Sequence, residues 1–141
     1  MKLTIEDTIS KSAAEIFDAI VSPEKLTNHF VNSASGPLEE KKTIYWDFGP
    51  NGNANIRVMA ITKNERIEFT WQATGLTTTV IIKLEPISVN NTKIIITEGD
   101  WRLDKDSVNL EIGQAQGWTG FIDGLKAYLL FNINLKEGKK L

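Results

Sequence analysis

Apolar and polar positions along this chain follow two periods, two residues in some stretches and three to four in others, and the switches between them mark the elements. Leu3, Ile5, Thr8 and Ile9 form a short run that predicts a first strand over residues 2–9. Ser12 and Glu15 then have capping-box spacing, in which the hydroxyl takes the backbone N–H three residues on and the carboxylate can reach back. Ile16, Phe17, Ile20 and Val21 follow at helical spacing and predict a helix over 13–21. Ser22-Pro23 restarts the pattern, because Ser suits an N-cap and Pro at the first helical position loses only an N–H that had no partner. A second short helix is expected over Glu24–His29, carrying Leu26 and Phe30 inward.

From Thr43 onward the period is two. Strands are predicted over Thr43–Phe48, Asn55–Ile61, Arg66–Trp71, Thr77–Leu84 and Thr92–Glu98, with turn chemistry at Gly49-Pro-Asn-Gly52, Lys63-Asn64 and Asn90-Asn91. Short strands joined by tight turns make an antiparallel meander rather than βαβ units. The last segment, from about Ser107 to Phe131, contains no proline and winds Leu110, Gln114, Trp118, Phe121, Ile122, Leu125, Tyr128 and Leu129 onto one broad face. So much aromatic mass on one helix needs a large concave partner, and the sheet is the candidate. The pattern therefore predicts an α+β fold. A curved antiparallel sheet of about six or seven strands wraps round a long C-terminal helix, with two short helices after the first strand. One domain spanning 1–141 is expected from the length.

Strand alternation also selects the side chains that share a face. Trp46 pairs with Phe48, Ile56 with Val58, Phe69 with Ile67 and Trp71, Ile82 with Val80 and Leu84, and Ile96 with Ile94 and Glu98. If these faces are concave, Glu98 looks into the space between sheet and helix, and Gln114 looks in from the helix beside Trp118 and Phe121. A polar group in apolar surroundings must find a partner or cost a few kcal/mol, roughly 2–7 depending on the reference. Candidate ligand-binding residues are thus the walls Trp46, Phe48, Ile56, Val58, Phe69, Trp71, Ile82, Ile96, Trp118 and Phe121, with Glu98 and Gln114 as polar anchors. The alternative is a mutual or water-mediated hydrogen bond between the two, or exposure at the rim, with no ligand.

Four glycines, Gly113, Gly117, Gly120 and Gly124, lie in a narrow stripe beside the helix's apolar face. Each weakens the helix by about 1 kcal/mol relative to Ala. Close backbone packing would explain them, and so would a helix that shifts to admit a ligand. At its end, Leu129, Leu130, Phe131 and Ile133 point round most of the helix, so the first helices or a second copy of the chain should cover what the sheet cannot. Monomer and homodimer both stand as expectations.

Composition narrows the chemistry. The formal net charge is −2, so no basic excess exists to neutralise phosphates, and nucleic acid is not an expected partner. No cysteine is present, which removes disulfides and thiolate chemistry and fits a reducing compartment. No apolar run approaches the length of a membrane span, and Met1–Asp7 does not read as a signal peptide, so a cytoplasmic location and no membrane partner are expected. His29 is the single histidine, expected to be exposed or satisfied. No metal site, cofactor or catalytic residue is assigned.

The order of elements carries a resemblance. Ala14-Glu-Ile-Phe-Asp-Ala-Ile-Val-Ser-Pro-Glu-Lys-Leu26, Tyr45-Trp-Asp-Phe-Gly49, Arg66-Ile-Glu-Phe-Thr-Trp71, Thr92-Lys-Ile-Ile-Ile-Thr-Glu-Gly-Asp-Trp101 and the run from Gly117-Trp118 to Leu129 together resemble the START-like (SRPBCC, birch-pollen-allergen-like, helix-grip) superfamily. Within it they are similar to bacterial domains named after the activator of the heat-shock protein 90 ATPase. Members commonly carry tryptophan near the end of the second short helix, where this chain has Thr27-Asn28-His29-Phe30. The superfamily implies lipids, polyketides or aromatic metabolites as ligand classes. The expected function is therefore binding of a small, mostly hydrophobic ligand between sheet and helix. The family name implies a co-chaperone contact with a heat-shock ATPase as one alternative. A cyclase or dehydratase of the same superfamily is the other, and it would need an acid–base pair of which Glu98 is the one candidate member.

Overall fold

The computed structural model describes residues 2–99 and 105–137. Seven strands form one curved antiparallel sheet: β1 (Leu3–Ile9), β2 (Ser33–Ala34), β3 (Thr43–Asp47), β4 (Asn53–Thr62), β5 (Arg66–Trp71), β6 (Thr78–Ser88) and β7 (Asn91–Gly99). Their order across the sheet is β1-β7-β6-β5-β4-β3-β2, so the predicted meander is continuous from β3 to β7 and β1 closes its far edge. Register keeps inward residues together: Leu3 faces Glu98, Ile5 faces Ile96, and Ile82 lies between Ile67 and Ile96. On β4 the alternation is clean from Asn53 to exposed Met59, and a register shift between Val58 and Ala60 ends it. Strand β2 is too short to show a period. Pairing of Ser33 with Asp47 and of Ala34 with Trp46 holds it on β3. Asp100 and Trp101, which close the β7 motif, lie outside the described residues.

Helix α1 (Ala13–Val21) begins as the Ser12 spacing requires, with Ser12 Oγ accepting the Glu15 N–H at 3.2 Å. The Glu15 carboxylate lies 3.6 Å from Lys11 Nζ. Helix α2 (Pro23–Leu26) is shorter than predicted, and 27–30 continue as turns closed by Asn28 N–H on Lys25 O and Phe30 N–H on Leu26 O. Between β3 and β4 a short 3₁₀ turn, Gly49–Asn51, is stopped by Gly52 at φ +106°, backbone that only glycine adopts without strain.

Helix α3 (Lys105–Phe131) crosses the concave face. Trp118, Phe121, Ile122 and Leu125 are buried with Ile16, Phe17 and Ile20 of α1 in one core. Its first half is less covered, with Val108 and Ile112 exposed. At its far end Leu130, Phe131 and Ile133 remain exposed, so neither the sheet nor α1 covers them. No helix among the described residues is long and apolar enough to cross a membrane.

The glycine stripe divides into two physical cases. A Cβ on Gly124 would stand 2.9 Å from the His29 carbonyl oxygen, whereas one on Gly113 would meet nothing within 4 Å. Gly124→Ala is therefore expected to lower stability by about 1–3 kcal/mol through overpacking. Gly113→Ala should raise it by up to about 1 kcal/mol through helix propensity. Denaturant midpoints of the two variants should move in opposite directions, and equal shifts would refute the division.

Candidate functional site

Glu98 is completely buried. Strand β7 points it inward after Ile94 and Ile96, where a carboxylate stripped of water requires replacement donors. Two come from the sheet on Oε2: Trp71 Nε1–H at 2.9 Å and the Thr78 hydroxyl at 2.5 Å. Two come from α3 on Oε1: Gln114 Nε2–H at 3.0 Å and Trp118 Nε1–H at 2.9 Å. These are its donors among the described residues, set against the roughly four lone-pair directions of a carboxylate. The cluster joins β5, β6, β7 and α3 at one point. Thr78 was not among the sequence candidates, although its parity with Val80 and Ile82 on β6 gives the same inward direction.

The open space lies beside this cluster. An inner lobe of about 320 Å³ is bordered by Trp71, Ala73, Gln114, Trp118, the turn residue Asn51 and the first residues of β4, Asn53 and Ala54. An outer lobe of about 930 Å³ reaches His29, Gly120, Phe121 and Lys136, and Phe30, Phe48, Asn51 and Gly117 border both. Of the sequence candidates, Phe48, Trp71, Gln114, Trp118 and Phe121 thus face the groove. Trp46, Ile56, Val58, Phe69, Ile82 and Ile96 border neither lobe and are buried in the core, while Glu98 sits behind Trp71, Gln114 and Trp118. The inward faces meet other side chains directly: Phe69 is packed between Trp46 at 5.7 Å and Trp71 at 5.4 Å between ring centroids. The gap opens where α3 presents glycine.

Phe30 was expected to point inward without a role. It packs edge-on against Trp46, Phe48 and Phe121 and is stacked near Trp118. His29 beside it is buried, with Nε2 2.7 Å from the Ala19 carbonyl and its ring stacked on Tyr128. That contact makes Nε2 the protonated nitrogen, and Nδ1 has no partner among the described residues. Burial pushes the His29 pKa down to about 4, the bond to Ala19 opposes this, and the positive charge of Lys136 adds to the depression. Lys136 Nζ itself donates to the carbonyls of Thr27, at 2.5 Å, and Val31, at 2.7 Å, tying the segment after α3 to that after α2. Among the described residues no three His, Asp or Glu side chains gather as a metal site would require.

A seven-stranded antiparallel sheet gripping a long C-terminal helix defines the START-like class of α+β proteins. Residues 10–130 match the family described as Activator of Hsp90 ATPase homolog 1-like protein, and the chain belongs to that family. None of the curated proteins matches it. Among solved structures, the protein SSP2350 from Staphylococcus saprophyticus is 28% identical, with a TM-score of 0.83 and 95% of each chain covered. The Aha1 dimer from Colwellia psychrerythraea is 20% identical with a TM-score of 0.80, covering 92% of this chain and 96% of that one. PFC0360w, an HSP90 activator from Plasmodium falciparum, is 20% identical with a TM-score of 0.74 over the same shares. The last two show a shared fold.

Glu98→Gln should lower stability by about 2–4 kcal/mol, because an amide nitrogen would then face two donors in a buried site. Urea unfolding measures this, and a change below about 0.5 kcal/mol would show that the donors do not depend on the carboxylate.

His29 predicts an acid sensitivity. Its folded pKa of about 4 lies below the ordinary 6.5, so between these values the unfolded chain holds a proton that the folded chain lacks. This contribution to stability is fully present above about pH 6.5 and falls as pH drops toward 4, by about 3 kcal/mol in total. Urea midpoints at pH 7 and 4.5 should therefore converge in His29→Phe relative to the parent. An identical pH dependence in both would contradict the assignment.

Proposed function

We propose that this protein binds a small, mostly apolar ligand in the groove between α3 and the β3–β4 turn. The observation that carries this reading is Gly117. It lies inside a helix, where glycine is unfavourable by about 1 kcal/mol. A Cβ there would meet nothing within 4 Å, so close packing does not account for it. Its missing side chain leaves both lobes open beside Phe30 and Phe48. Concave, largely apolar space with a few fixed polar groups is the usual form of a small-molecule site.

A co-chaperone contact with a heat-shock ATPase is the second reading, supported by the family to which the chain belongs. It would use the outer surface rather than the groove. One substitution separates the two. Gly117→Leu should abolish saturable binding of the dye 1-anilinonaphthalene-8-sulfonate, and any co-purifying mass in native mass spectrometry, while the unfolding midpoint stays level or rises. Stimulation of a heat-shock ATPase by the outer surface would survive the same change. Unaltered dye binding in a folded Gly117→Leu variant would sink the groove reading.

A further inference from the structure

Both indole N–H groups that border the inner lobe donate to Glu98 rather than to the groove. Trp71 and Trp118 therefore offer a ligand apolar ring surface only, their centroids 5.5 Å apart and their planes inclined by 30°. Phe30 and Phe48, with centroids 5.2 Å apart and edge-to-face, add two more rings to the same lobe. A carboxylate accepts hydrogen bonds and has none to give, so Gln114 must turn its amide nitrogen toward Glu98. This fixes the amide. Its Oε1 points away from Glu98, on a half-buried side chain that borders the lobe, and has no partner among the described residues. Among the described residues the inner lobe thus has four rings in its lining and, on the helix, one oriented acceptor. Asn51, on the opposite turn, and Asn53, which opens β4, are exposed and already solvated.

We infer that the inner lobe selects a flat aromatic molecule bearing a hydrogen-bond donor, a hydroxyl or N–H, which Gln114 Oε1 accepts. The inference rests on the groove being a ligand site. Four aromatic rings favour a planar π-system over an alkyl chain, since offset and edge-on ring contacts add to plain area burial. An ether or ester of the same shape presents only acceptors to an acceptor and loses the match. Glu98 then acts as a positioning residue that never touches the ligand.

The test uses three probes on the intact protein, 2-naphthol, 2-methoxynaphthalene and 1-decanol, titrated by calorimetry and by ¹H–¹⁵N spectra. The parent should bind 2-naphthol about tenfold more tightly than its methyl ether, the worth of one net hydrogen bond, and more tightly than 1-decanol. In Gln114→Met the preference for the naphthol over the ether should disappear. Trp118 shares Glu98 Oε1 with Gln114, so its indole N–H signal should move there, while that of Trp71 on Oε2 keeps its shift and reports that the sheet still holds the carboxylate. Equal affinity for naphthol and ether in the parent would overturn the role of Gln114 while leaving the groove reading standing. Preference for 1-decanol would overturn the aromatic class alone. If no probe binds, the groove reading falls and this inference falls with it.

Discussion

The position of α3 depends on a buried carboxylate. An ion removed from water is tolerated only with an excellent set of hydrogen bonds, and losing one partner leaves an uncompensated charge in the core. Among the described residues Glu98 has donors in both layers of the fold, two from the sheet and two from the helix. The layers therefore cannot slide past one another without stripping the carboxylate. Hydrophobic burial of Phe121, Ile122 and Leu125 supplies adhesion but not register, because apolar contact is non-directional. Four hydrogen bonds of defined geometry supply the register.

A second fixed point lies further along the helix. Gly124 allows the α3 backbone to approach the His29 carbonyl oxygen to a distance no side chain would permit. Between Gln114 and Trp118 the helix carries Gly117, where an added Cβ would meet nothing within 4 Å. The groove opens beside this glycine and is bordered on the same helix by Trp118 and Phe121.

Much of this can be read from periodicity. Alternation on β7 puts Glu98 with Ile94 and Ile96, helical winding puts Gln114 with Trp118, and the two residues meet at 3.0 Å. Alternation gives a direction but not a depth. It cannot tell Phe48, which borders the groove, from Trp46, which is sealed beneath Phe30. Nor can it show that the polar edges of Trp71 and Trp118 turn inward, since indoles suit an apolar wall and a hydrogen bond equally well. The glycine stripe looks uniform in sequence because its meaning lies in what each missing Cβ would have touched. Strand β2 has no signal of its own, being two residues held by their neighbours on β3.

Family membership fixes the sheet and the gripping helix, yet the groove is bordered mainly by what lies at their margins: Phe30 after α2, Phe48 and Asn51 at the β3–β4 turn, and Gly117 on the helix. Loop and turn residues are the ones a scaffold can change without disturbing its core. Phe30 borders both lobes. The cluster behind it is of a different kind, since changing Trp71 or Trp118 would remove a donor from Glu98 as well as a wall from the groove. Two aromatic walls are therefore held in place by the carboxylate, and the other two, Phe30 and Phe48, sit on turns. The turn-borne pair can therefore change without loosening the helix, whereas the indole pair cannot, because it keeps the helix seated.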